Sequence, residues 1–127
     1  MTIDDVARMS LDIVEQRVGD TTVLSVYGEV DLTTSQYLTD AIDAVVTDSG
    51  LSAVVVDLTG VPFFASVGMS ILVDANRRLS ANARFVVVAD GPATARPLML
   101  VGLDQAFPIY SDLDAALSAL AADSVGS

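Results

Sequence analysis

The sequence predicts an α/β domain with a mixed central β-sheet of about five strands and about four helices. Three observations lead there. Valine-rich runs of strand length, at 53–56 and 85–88, alternate with stretches of helical apolar spacing. A Gly19-Asp20 pair joins two β-rich runs near the start and favours an antiparallel return, while the later alternation of strand and helix favours parallel pairing. The 127 residues and their 52% hydrophobic content, mostly Val, Leu and Ala, suit one layered core.

Taken in order, Leu11–Val18 and Thr22–Tyr27 read as an opening hairpin. Thr33-Thr34-Ser35-Gln36 reads as a capping box, with a Thr hydroxyl and the Gln three residues later satisfying each other's backbone donors. The helix that follows buries Leu38, Ala41, Ile42 and Val45 and turns Asp40 and Asp43 to water. Asp48-Ser49-Gly50 stops it. Ala53–Val56 is a short continuous apolar run, expected at the centre of the sheet, and Asp57-Leu58-Thr59-Gly60-Val61-Pro62 is expected to break it. Ser66 reads as the N-cap of a second helix carrying Met69, Leu72, Val73 and Asn76 to about Ser80.

Phe85–Val88 reads as another buried strand, and Gly91-Pro92 as a loop. Leu98–Val101 is a short helix closed at Gly102, and Phe107–Tyr110 an edge strand, since proline cannot donate to a central ladder. Ser111–Asp114 opens a last helix with the stripe Leu113, Ala116, Leu117 and Leu120. Residues 1–10 and 123–127 are expected to be flexible ends around one domain at 11–122.

Composition removes most chemistry. The chain has no His, no Cys and no Lys, which excludes Ser-His-Asp hydrolysis, thiolate nucleophiles, imidazole or thiolate metal sites, the phosphate-loop lysine and Schiff bases. No enzymatic activity, metal or cofactor is expected. The formal net charge of −11 repels nucleic-acid phosphates and suits solubility or a basic protein partner. No apolar run approaches the ~20 residues of a membrane span. Asp4 and Asp5 stand where a secretory signal would carry bases, so a cytoplasmic location is expected. Asp57, just after a strand, invites comparison with a phosphoacceptor, and Asp31 with Asp57 with a hydrolase carboxylate pair. The plainer reading is that both cap turns.

What is present lies between Val54 and Met69: Val-Val-Val-Asp-Leu-Thr-Gly-Val-Pro-Phe-Phe-Ala-Ser-Val-Gly-Met. This resembles the STAS domain signature, in which a strand ends in Asp-Leu, an apolar loop follows, and an Asp-Ser-Ser/Thr-Gly-Leu element starts a helix. Gly28-Glu29-Val30-Asp31 is similar to the family's Gly-Glu-Leu-Asp element, and Leu98-Met99-Leu100-Val101-Gly102-Leu103 to its late helix ending in Gly-Leu. The resemblance covers about residues 11 to 120 and implies a bacterial anti-sigma factor antagonist. It makes Ser66 the residue phosphorylated by a partner anti-sigma factor that is also a Ser/Thr kinase. Unmodified, such a protein binds the anti-sigma factor and frees the sigma factor; modified, it lets go until a Ser/Thr phosphatase resets it. The partner-binding residues so implied are Asp31, Phe64, Ala65, Ser66, Val67, Gly68 and Met69.

Ala65 and Val67 replace the family's acid and second hydroxyl, which motivates the alternative of an unphosphorylated adaptor subunit in a transport or stress-signalling complex. Gly68 is expected to let another backbone come close. At least one of Phe63 and Phe64 is expected in the core, leaving the other as an apolar anchor. Arg77 and Arg78 are expected to pair with Asp74 on the helix surface.

Overall fold

The computed structural model describes residues 11–47 and 50–126, the last four by backbone alone. Strands β1 (Leu11–Val18) and β2 (Thr21–Gly28) form the hairpin. Val18 faces Thr21 across a two-residue turn in which Gly19 takes φ 61°, a left-handed value that favours glycine. Helix α1 (Ser35–Val46), strand β3 (Ala53–Gly60), helix α2 (Ser66–Leu79) and strand β4 (Arg84–Val88) follow. The chain ends with α3 (Ala95–Leu100), a single 3-10 turn (Leu103–Gln105), β5 (Ile109–Tyr110) and α4 (Leu113–Gly126).

Among the described residues the sheet order is β1-β2-β3-β4-β5, with β3 central, the β1–β2 pair antiparallel and the other pairs parallel. Alternation along β3 explains its nearly unbroken apolar run. Val54, Val56 and Leu58 enter the main core with Leu38, Ile42 and Val45 of α1, Leu72, Ala75 and Leu79 of α2, and Leu98 of α3. Ala53 and Val55 point the other way, onto Ala116 and Leu120 of α4. Phe85 and Phe107 meet edge to face, with ring centres 5.3 Å apart, which ties the approach to β5 into the main core.

Several expectations are corrected. The strand at Ala53 does not break at Asp57; it runs to Gly60, because β2 continues beside it to pair Tyr27 with Gly60 after a register shift. The Thr33–Gln36 capping box does not form. The Thr33 hydroxyl bonds to Asp31 instead, Gln36 Nε2 donates to Asp40 Oδ1 at 2.8 Å, and α1 begins at Ser35 without a side-chain cap. Asp43 is not left to water, since it accepts from Arg78 Nη1 of α2 at 2.7 Å, while Arg77 and Arg78 both pair with Asp74 as expected, Arg78 at 3.6 Å. Asp48, Ser49 and residues 1–10 lie outside the described residues. So do the side chains of the expected tail at 123–127, although the α4 backbone runs to Gly126.

Gly68 sits in the first turn of α2, and what approaches it is not a partner's backbone. A Cβ there would lie 2.6 Å from Phe64 Cζ and 3.0 Å from Val30 Cγ1. Both neighbours are themselves buried, so neither yields easily. Gly68→Ala is expected to lower the unfolding free energy by about 1–3 kcal/mol. In a Phe64→Leu background the same change costs less, a coupling that urea denaturation of the four proteins in the cycle will measure.

Candidate functional site

Strands β2, β3, β4 and β5 run in one direction, so the loops that follow them gather at one rim of the sheet, the usual place for binding elements in such folds. Two of these loops are stitched together. Val30 N–H donates to the Phe63 carbonyl at 2.9 Å and Ala65 N–H to the Val30 carbonyl at 2.8 Å, making an isolated parallel bridge between Val30 and Phe64. Because extended backbone alternates sides, this bridge sends Phe64 inward and Phe63 outward. Phe64 is 6% exposed and Phe63 51%.

The same bridge sets the start of α2. Ala65, with φ −79° and ψ 165°, is the N-cap, and Ser66 is the first helical residue; the expectation of Ser66 as the cap is off by one position. The Ala65 carbonyl accepts from Gly68 N–H at 2.9 Å, but Ala65 has no side-chain oxygen for the first helical N–H groups, and the helix has no side-chain cap bond. Ser66 is exposed, so its hydroxyl lies open at the helix mouth.

Asp31 organises the neighbouring loop. Its Oδ1 accepts from Thr33 N–H at 2.9 Å, the Thr33 hydroxyl at 2.7 Å and Thr34 N–H at 3.1 Å. The buried Thr34 hydroxyl accepts from Asp31 N–H at 3.0 Å and donates to the Glu29 carbonyl at 2.7 Å. These bonds favour the charged carboxylate. The Thr33 hydroxyl foremost, against some desolvation, holds Asp31 below its ordinary value of 3.8. The loop so fixed presents Leu32 to solvent at 82% exposure.

Of the residues singled out by sequence, the structure brings Ser66 to the surface, with Asp31, Ala65, Val67 and Met69 half-buried around it. Met69 also packs against the main core. Phe64 and Gly68 are corrected: both are buried and support the site from below rather than presenting themselves to a partner. The outward residue of the aromatic pair is Phe63. Leu32 was missed, although an apolar residue in a turn, off the stripe of α1, was a signal that could have found it. Asp57 Oδ1 accepts from Thr59 N–H and hydroxyl at 2.9 and 2.8 Å, the turn-capping role. Among the described residues no group of three or more acidic side chains could hold a metal ion, and no helix is long and apolar enough to cross a membrane.

A mixed sheet with helices on both faces, and an exposed serine with the exposed Leu32 and Phe63 on the loops at its carboxyl rim, defines an α/β domain whose distinctive surface lies on those loops. The chain belongs to the STAS domain family, whose model matches residues 12–116. The chain is 44% identical over 96 residues to anti-sigma-F factor antagonist RsfB of Mycobacterium tuberculosis, spanning 76% of this chain and 78% of that protein. The crystal structure of an anti-sigma factor antagonist from Mycobacterium paratuberculosis superposes with a TM-score of 0.83 at 45% identity, covering 87% of this chain and 93% of the other. A Thermotoga maritima protein described as a putative anti-sigma factor antagonist shares the fold alone, with a TM-score of 0.75 at 18% identity over 84% of this chain and 92% of that one.

Because folding lowers the Asp31 pKa, its contribution to stability is present above the ordinary carboxylate value and is lost as pH falls through the lowered one. Asp31→Asn is therefore expected to lower the thermal midpoint at pH 7. The gap to the parent should close on acidification below about pH 3.8, where the parent carboxylate also takes up its proton. Thermal melts between pH 7 and pH 2.5 will check this.

Proposed function

We propose that this chain is an anti-sigma factor antagonist that binds an anti-sigma factor of the Ser/Thr kinase type while Ser66 carries a free hydroxyl. Binding releases the sigma factor for transcription in the cytoplasm. Phosphorylation of Ser66 ends the binding, and a Ser/Thr phosphatase restores it. The chain itself performs no catalysis in this scheme. The observation that carries the reading is the open Ser66 hydroxyl at the start of α2, flanked across the rim by the exposed Leu32 and Phe63. The role named for the 44% identical relative supports the same direction.

The physical chemistry of the site fits an on-off switch. A phosphate on Ser66 would add about −1.5 to −2 charges beside helix-start N–H groups and the positive end of the helix dipole, an interaction of about 0.3–2 kcal/mol in its favour. Ala65 in the cap position places no carboxylate against it. Modification thus leaves the domain folded, and its effect falls on the interface. Closing a partner over Leu32 and Phe63 would strip water from the phosphate, and a cost of ~3 kcal/mol already weakens binding more than a hundredfold.

Ala65 and Val67, which leave Ser66 without a neighbouring acid or second hydroxyl, favour a second reading as an unphosphorylated adaptor subunit of a transport or stress-signalling complex. One experiment separates the two. Incubation with the cognate kinase and ATP, followed by mass spectrometry, is expected to place one phosphate on Ser66 and none on the Ser66→Ala variant. Ser66→Asp is expected to bind the anti-sigma factor at least about a hundredfold more weakly than the parent by titration calorimetry, with an unchanged circular dichroism spectrum. An unmodified Ser66 together with undiminished binding of the Asp variant would exclude the switch.

A further inference from the structure

Strand β1 is eight residues long, contains no proline, and among the described residues is paired on one side only. With Val18 facing Thr21 across a two-residue turn, the hydrogen-bonded pairs of the hairpin fall at Val18, Gln16, Val14 and Asp12. Ile13 and Glu15 therefore turn their backbone N–H and C=O groups outward. Beside them α1 leaves the edge uncovered, and a groove of about 260 Å³ lies between strand and helix. Its floor is Leu11, Ile13, Leu24 and Ala41, which belong to the main core or pack against it. Its lips are the half-exposed Tyr37 of α1 and the exposed carboxylates of Asp12 and Glu15, which make no ion pair among the described residues. Arg17, the one base on β1, is held at the turn by the carbonyls of Gly19 at 3.2 Å and Gly50 at 3.4 Å, so it does not balance them.

We propose that this edge docks a basic extended segment of another protein, which adds a strand antiparallel to β1 and sends alternate side chains into the groove. Backbone pairing supplies adhesion, and charge supplies selectivity. The chain carries a net charge of −11, and the charges lining the groove are the two carboxylates, so the complementary segment is cationic. The incoming residues opposite Ile13 and Glu15 form the hydrogen-bonded pairs, and their side chains stand on the α1 side of the sheet. The one opposite Ile13 enters the groove over Leu24 and Ala41 and is apolar; the one opposite Glu15 meets a carboxylate and is Lys or Arg. On the other face the residue opposite the exposed Val14 is apolar and the residue opposite Asp12 is basic. From its amino end the incoming strand therefore reads base, apolar, apolar, base. Among the six arginines of this chain no two stand three residues apart, so neither a second copy nor the chain's own ends carry that pattern. The inference stands apart from the phosphorylation reading.

The probe is a synthetic peptide, fluorescein-Gly-Thr-Arg-Val-Val-Lys-Thr-Gly-amide, titrated with the full chain by fluorescence anisotropy at physiological ionic strength. Saturable binding is expected. It should weaken at least about tenfold in Glu15→Arg, and equally when the peptide's Arg is exchanged for Glu, and recover when the two changes are combined. N-methylation of the second Val of the peptide, whose N–H faces Ile13, is expected to abolish binding, whereas the same change at the first Val, whose N–H points away from β1, leaves it intact. Amide exchange gives an independent readout. The Ile13 and Glu15 N–H groups are expected to exchange freely in the chain alone and to slow at least about tenfold with saturating peptide. Val14, paired with Ser25 inside the hairpin, stays slow throughout and reports that each variant is folded. Equal effects of the two methylations, undiminished binding by Glu15→Arg, or no saturation at about 1 mM would each overturn the proposal. So would Ile13 and Glu15 amides already protected in the chain alone, the mark of a second copy or the chain's own terminus on this edge.

Discussion

The parallel bridge between Val30 and Phe64 is the constraint on which the rim of this domain depends. Two loops that leave neighbouring strands are joined by a pair of backbone hydrogen bonds, and that pairing decides which way each side chain on the loop after β3 must face. Phe64 goes inward and fills the space beside Gly68 and Val30; Phe63 goes outward; Ala65 is left extended as the helix cap, and Ser66 becomes the first residue of α2. A residue larger than glycine at position 68 would contest the space held by Phe64, so the orientation of the whole segment rests on a contact that a single methyl group disturbs.

Electrostatics at the rim is divided between two loops. In the loop after β2 the carboxylate of Asp31 accepts from three donors, the Thr33 hydroxyl and the Thr33 and Thr34 amides, and the loop so held leaves Leu32 in the open. In the loop after β3 there is no carboxylate, and the helix start is left without a side-chain acceptor. The two halves are complementary: one is saturated and rigid, the other has donors to spare where a negative group would arrive. Partner contact through Leu32 and Phe63, and modification at Ser66, can therefore share a small surface without the modification touching the core.

The opposite side of the hairpin obeys a different logic. Among the described residues the small core under α4 spans β2, β3 and β4 and takes in no residue of β1, so Val14 and Val18 stand exposed on that face, while Leu11 and Ile13 on the other face join the main core.

The sequence by itself determined the α/β class, the hairpin, the central place of the strand at Ala53 and the apolar stripes of the helices, because each is written in local periodicity and turn chemistry. It also determined what chemistry is missing, since no fold can supply a His, Cys or Lys that the chain does not contain. Only the tertiary structure decided that Phe64 rather than Phe63 is interior, that Ala65 rather than Ser66 is the cap, that Thr33 bonds to Asp31 rather than to the start of α1, and that β3 continues past Asp57. Three of these turn on a hydrogen-bond partner far away in sequence or on a neighbouring strand that extends the ladder, whereas the Thr33–Asp31 bond spans two residues and is settled by local competition for the hydroxyl. Local patterns name the candidates for a buried or capping position, and long-range backbone pairing chooses among them.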